Sequence, residues 1–155
     1  MKNLSFITKL ILLAIFAIVI NACDNDQDVI TYGIAGNWKV ISFENNESST
    51  IITKTEGNTW AQFNNGDITV SFDASDLTSG IISGINVSNS FSGDYTVDSE
   101  DAISINNVFW TEVNEPEWGR LFHSISKAES YEIKNGHLII FYNEKRNSIT
   151  FERMN

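Results

Sequence analysis

Leu10 to Ile20 is an unbroken apolar run of eleven residues, and three positions beyond its end stands Cys23, the only cysteine in the chain. As a helix, eleven residues rise about 16 Å, roughly half the hydrocarbon thickness of a bilayer. Lys9 interrupts any backward extension to Phe6, so the run is too short for a stable span. Lys2 and Lys9 are the only basic residues before Lys39. A basic start and a short apolar centre have the pattern of an export signal, not of an element in a folded core. The remainder of the chain must then fold without an internal disulfide, because no second cysteine exists.

The residues Ile20-Asn21-Ala22-Cys23 resemble the lipobox of bacterial lipoproteins, although Asn21 departs from the small or β-branched residue usual at its place. The resemblance implies cleavage before Cys23, alkylation of its thiol by diacylglycerol and acylation of the new amine with a palmitate-type chain. At about 0.8 kcal/mol per buried CH₂, two or three acyl chains hold a protein essentially permanently, whereas one is marginal. The chain then divides into a lipoprotein signal peptide over 1–22, the lipidated Cys23 with a flexible acidic tether over 23–31, and a folded domain over 32–154. Asp24-Asn25-Asp26-Gln27-Asp28 makes the tether polar, with little apolar surface to bury. The implied address is the bacterial cell envelope, with the outer-membrane, periplasmic and surface-exposed sides all left open.

Removing 22 residues takes Lys2 and Lys9 with them, which leaves 133 residues with eight basic and twenty acidic side chains, a net charge of −12. That length suffices for one domain with a substantial core. Nucleic acid is not an expected partner, because phosphate binding needs clustered Lys and Arg to release counterions. The acidity instead suits a domain kept soluble beside anionic surfaces, with a cationic ligand as an alternative use of it.

The domain is rich in Ile, Val, Thr, Phe, Tyr and Trp, residues that suit pleated, half-buried surfaces. Strands are predicted at 38–43, 51–55, 60–63, 68–72, 81–87, 90–97, 102–106, 108–113, 131–133, 137–142 and 148–153. Asn64-Asn65-Gly66 reads as a hairpin turn joining 60–63 to 68–72, since Asn-Gly supplies the positive φ that tight turns need. Ile68, Val70 and Phe72 alternate and share one face. The period changes at Trp118, Leu121, Phe122 and Ile125, which fall on one helical face. With Pro116 suiting a first turn and Glu115 and Glu117 at the positive end of the dipole, one helix is predicted at about 115–128. Many short strands and one helix point to a mainly β fold, an antiparallel barrel or strongly curled sheet with the helix packed on or in it.

Several residues stand at spacings that resemble META/HslJ-like domains. Gly36-Asn37-Trp38 matches the family's opening Gly-x-Trp strand, and Gly84, Asn89, Phe91, Gly93 and Tyr95 sit in register with its central motif. Thr111 matches a strand-ending threonine, and Phe151 to Arg153 a terminal Phe-x-Arg strand. Val87 and Ser88 replace a glycine and a cysteine of the family, and the second family cysteine falls at about Glu115. Loss of both cysteines fits their being paired where they occur. The resemblance implies a lipocalin-like barrel with one packed helix and a link to envelope stress and antibiotic tolerance. It implies no enzymatic activity. The motif residues Gly36, Trp38, Gly84, Asn89, Gly93, Tyr95, Thr111 and Arg153 are read as carrying fold, with Trp38 plugging one barrel end under a cation–π contact from Arg153.

No catalytic constellation is evident. His123 and His137 are read as surface or edge residues, and neither stands at a zinc-ligand spacing. Serines are abundant without a Gly-x-Ser-x-Gly elbow. The acidic runs Asp98/Glu100/Asp101 and Glu112/Glu115/Glu117 lack a calcium loop, and carboxylates are expected at a helix start. No cofactor is expected. The reading is a non-enzymatic, lipid-anchored envelope protein, tied to the membrane through Cys23 and binding an envelope protein or component as an interaction or stress-related module. An alternative is a lipocalin-like carrier, with Phe109, Trp110, Trp60 and Tyr142 lining a barrel mouth for a small apolar ligand.

Overall fold

Alternation along the strands is what folds this chain into a curved wall. In β5 (Asn89–Val97) every second residue is buried, from Asn89 through Phe91, Gly93 and Tyr95 to Val97, and Ile68, Val70 and Phe72 of β3 (Ile68–Ala74) point the same way. The computed structural model describes residues 33–98 and 100–154; the signal peptide expected over 1–22, Cys23 and the tether expected over 23–31 lie outside them. The remaining strands are β1 (Gly36–Asn45), β2 (Thr50–Thr53), β4 (Ser79–Asn86), β6 (Ile103–Trp110), β7 (Ala128–Lys134), β8 (His137–Tyr142) and β9 (Asn147–Arg153). All pairings are antiparallel, in the order β6-β5-β4-β3-β1-β9-β8-β7, with β2 on the distal half of β1. The fold is therefore mainly β, a strongly curled antiparallel sheet that forms a half-barrel around one core.

The sheet curls because its backbone is bent in three places and stripped of side chains in two others. Register shifts occur at Val40/Ser42, Ser92/Asp94 and Ala128/Ser130, each a bulge that sharpens local twist. On β4, Gly80 and Gly84 lie directly opposite Tyr95 and Phe91 of β5. A Cβ on Gly84 would stand 2.0 Å from the Thr69 carbonyl oxygen and 2.9 Å from the Phe91 ring. The two aromatic rings lie over bare backbone, which lets the wall fold inward. The sheet's end strands, β6 and β7, meet at the Ala102–Ser130 bridge and a 2.9 Å bond from Tyr131 N–H to the Asp101 carbonyl. Farther along that seam a 3₁₀ segment, His123–Lys127, packs against β6 and β8 with Ile125 fully buried.

Three local expectations change. Residues 60–63 form no strand: Asn64–Gly66 is a 3₁₀ turn with Asn64, Asn65 and Gly66 all at positive φ, and β3 pairs instead with β1 and β4. Asn-Gly marks the turn correctly but not its partners. The predicted helix is shorter, with α1 spanning Glu117–Phe122 before the 3₁₀ segment takes over. Gly119 weakens the helix centre. The Ser124 and Ser126 hydroxyls donate to the carbonyls of Leu121 and His123, three residues back, competing with the α-helical pattern. Pro116 caps this short helix, and Glu115 stands outside it. The predicted strands 102–106 and 108–113 are one, β6, kinked by Asn107 at φ 51°.

Candidate functional site

The lipidation site expected at Cys23 falls outside the described residues. The entry of the chain into the domain lies within them. The Arg153 guanidinium lies over the Trp38 indole, 4.6 Å from its centroid, and donates to the carbonyls of Gly33 and Ala35 at 3.2 Å each. Beneath it, the fully buried Trp38 donates its indole N–H to the Ile34 carbonyl at 2.7 Å. Gly36 runs close under the guanidinium, where a Cβ would stand 2.9 Å from Nη1. The first residues of the domain are thus clamped by the last strand. The β3–β4, β5–β6 and β7–β8 turns share this pole with the entry point, and α1 stands at the other.

The opposite pole is organised by Asn89. Its backbone N–H and side-chain amide both donate to Glu115 Oε1, at 2.9 and 2.6 Å. The amide also donates to the Val113 carbonyl, while its oxygen accepts from the Thr111 hydroxyl and Val113 N–H. Thr111 in turn accepts from Ser90 N–H at 3.1 Å. Ser88 N–H reaches Glu115 Oε2 at 3.4 Å and the Ser88 hydroxyl donates to the Asn114 carbonyl at 2.6 Å. One asparagine thereby ties residues 111–115 across the β4–β5 turn and delivers the chain into α1. Of the motif residues, Asn89 and Thr111 come together here, Trp38, Gly36 and Arg153 at the other pole, and Gly84 and Tyr95 along the wall. Gly93 sits at the Ser92/Asp94 bulge, its Cα facing the Asn106 carbonyl.

Glu115, expected to act on a helix dipole, is instead a buried acceptor. Nothing in the sequence marks this, because its partner Asn89 lies 26 residues away. The neighbouring Val87 carries no sequence signal either: it is buried with φ 49°, a left-handed conformation that a β-branched side chain rarely adopts.

Between the poles the interior is filled with rings. Trp118, Phe122 and Ile125 are wholly buried and Leu121 is half-buried, so the helix inserts its apolar face into the curl. Trp118 meets Phe43 edge-on at 4.8 Å, Phe122 meets Phe91 at 5.3 Å and Phe151 at 6.4 Å, and Phe72 meets Tyr95 at 5.2 Å. Of the aromatics expected at a barrel mouth, Trp60, Trp110 and Tyr142 pack against this core. Phe109 stands out at 75% exposed. Burial raises the Tyr95 phenol pKa above its ordinary value, and the charges of Asp73 and Asp76 add to the effect.

His123 is exposed and stacks on Trp110 at 4.3 Å, with 17° between ring planes. His137 lies on the outer face of β8, at the rim of an open groove of about 360 Å³ that includes Glu44, Ile139, Phe141 and Thr150. Asp98 uses its carboxylate to accept from the N–H groups of Glu100 and Ala102, closing the β5–β6 turn. Among the described residues no three His, Cys, Asp or Glu side chains converge as a metal site would require. No helix among them is long and apolar enough to cross a membrane.

No protein-family model matches the sequence, and no curated protein matches it. Among solved structures, the fold is similar to that of a DUF4847 family protein from Bacteroides vulgatus ATCC 8482, with a TM-score of 0.51 and 16% identity. The match covers 79% of this chain and 96% of that one. At such identity the likeness speaks for the curled, mainly β architecture alone.

Proposed function

We propose that this chain is a lipid-anchored bacterial envelope protein whose META/HslJ-like domain works by binding another envelope component, without catalysis. The observation that carries the reading is the sole cysteine placed directly behind an apolar run too short to span a bilayer. The META/HslJ resemblance draws support from Ser88 and Glu115. Ser88 stands at one family cysteine and Glu115 at about the other, and the Ser88 N–H reaches the Glu115 carboxylate at 3.4 Å across the β4–β5 turn. The positive φ of Val87 likewise falls where the family has glycine.

Interaction is favoured over carriage because the curl is packed. A carrier needs a continuous apolar space of a few hundred Å³, and Trp118, Phe122 and Ile125 occupy the place where it would lie. The clamp on Gly33 also suits a tether: ten residues from Cys23 extend at most about 35 Å, holding the Arg153 pole toward the membrane and leaving the Asn89 pole and the sheet flanks available. The test is metabolic labelling with a fatty-acid analogue in a bacterial host. The native chain should take the label and sediment with membranes, and Cys23→Ser should do neither. Label retained by Cys23→Ser overturns the anchor.

A further inference from the structure

Between Lys54 and Arg120 the chain carries eleven carboxylates and no Lys, Arg or His. β3 through β6 are contiguous in the sheet, and of these carboxylates Asp73 and Asp94 stand on their strands while Asp76, Asp98, Glu100 and Asp101 stand in the turns that join them. Lys39 at its border pairs with Glu152 on β9 at 2.8 Å and Lys54 pairs with Asp67, while Asp73 and Asp94 have no salt bridge among the described residues. On the outer face of this flank, Ile81 lies directly opposite Asp73 on one side and Asp94 on the other. Ile81 is 47% exposed, and Ile85, further along the same face of β4, is 42% exposed. Phe109 on β6 lies opposite Ser92, two strands from Ile81 and Ile85, and is 75% exposed. Between Ile81 and Ile85 runs a row of hydroxyls, Ser71–Ser83–Ser92, in register across three strands and ending at Phe109.

We propose that the outer face of β3–β6 is the docking surface of a cationic, amphipathic polypeptide segment, which gives the partner of the proposed binding role its chemistry and so rests on that role. A lysine or arginine stem lies along Ile81 and places its charge between Asp73 and Asp94, the arrangement that long basic side chains favour. Apolar partner residues cover Ile85 and Phe109, and the serine row supplies hydrogen bonds without opposing charge. Ile81 and Ile85 stand about 13 Å apart along the strand, so a partner about two or three turns of helix long, or about five residues extended, reaches both. Field from the acidic flank steers the approach.

The experiment uses the full-length lipidated protein in a nonionic detergent and a fluorescein-labelled peptide of alternating Lys and Leu, with a Glu-for-Lys peptide as control. Fluorescence anisotropy should report binding of the first only. Ile81→Ser/Phe109→Ser and Asp73→Asn/Asp94→Asn should each weaken it by about tenfold or more. Glu132→Gln/Glu144→Gln, which removes two charges from the other flank, should change it less than about twofold. Equal losses from all three pairs, or no loss from either face pair, overturn the assignment and leave only attraction by net charge, with the general binding role untouched. Failure of the Lys-Leu peptide to bind overturns it too. Loss of fatty-acid labelling, by contrast, would strike the envelope reading and not this face.

Discussion

Asn89 donates two hydrogen bonds to a single oxygen of Glu115, one from its backbone and one from its side chain. Both residues are buried, and bonds to a charged acceptor in such a place are stronger than neutral ones. Asn89→Ala leaves the carboxylate, the Thr111 hydroxyl and Val113 N–H short of partners. It should cost about 3 kcal/mol, and Glu115→Ala a similar amount. Denaturant melts of both singles and the double should show them coupled by more than about 1 kcal/mol. Additive losses would mean the pair does not act as one unit.

The nearness of Ser88 to Glu115 gives a second expectation. In a Cys23→Ser background, Ser88→Cys/Glu115→Cys should oxidise to a disulfide, seen as a mobility shift on non-reducing gels. Closing that loop is worth roughly 3–4 kcal/mol, offset in part by the loss of Glu115's hydrogen bonds. The oxidised form should melt above its own reduced form. A pair that stays reduced under mild oxidant would separate this turn from the geometry the family resemblance implies.

Val87 holds a left-handed conformation at the cost of about 1–2 kcal/mol. Val87→Gly relieves that strain while losing core contact, whereas Val70→Gly, equally buried in β3, loses contact alone. Val70→Gly should cost about 3–4 kcal/mol and Val87→Gly at least about 1 kcal/mol less. Equal costs in urea melts would show Val87 unstrained.

Tyr95 buries a hydroxyl that has no hydrogen-bond partner among the described residues. Tyr95→Phe should therefore be neutral or stabilising by up to about 1 kcal/mol at pH 7. The fold favours the protonated phenol, since its pKa is raised above 10.0. Its contribution is full below that pH and declines as pH rises beyond it. Lys39, raised above 10.5 chiefly by its hydrogen bond to Glu152 with further help from that charge, weakens in the same direction. Stability should fall above about pH 10, and the fall should be shallower in Tyr95→Phe. Identical profiles would remove Tyr95 from the alkaline transition.

Much of the wall is legible in the sequence because a strand has period two: Ile68, Val70 and Phe72 lie where alternation puts them. Arg153 over Trp38 is legible for a different reason, since a terminal Arg and an opening Trp suit one end of a curled sheet. Periodicity makes the helix too long, because it sees apolar spacing but not the Ser124 and Ser126 hydroxyls that tighten the last turns. Glu115 escapes because its partner is remote in sequence, and Val87 because a β-branched residue gives no sign of positive φ. The acidic flank emerges only with the strand order, which folds a base-free stretch of chain into one surface.

The clamp of Arg153 on Gly33 and Ala35 brings both ends of the described chain to the same pole. A reporter fused after the last residue would thus be wedged on the side from which the chain arrives. The same cargo spliced into the turn between β8 and β9 would ride on the far side. Under the proposed anchor at Cys23, that makes the choice of tagging position a choice of which face is kept clear for visitors.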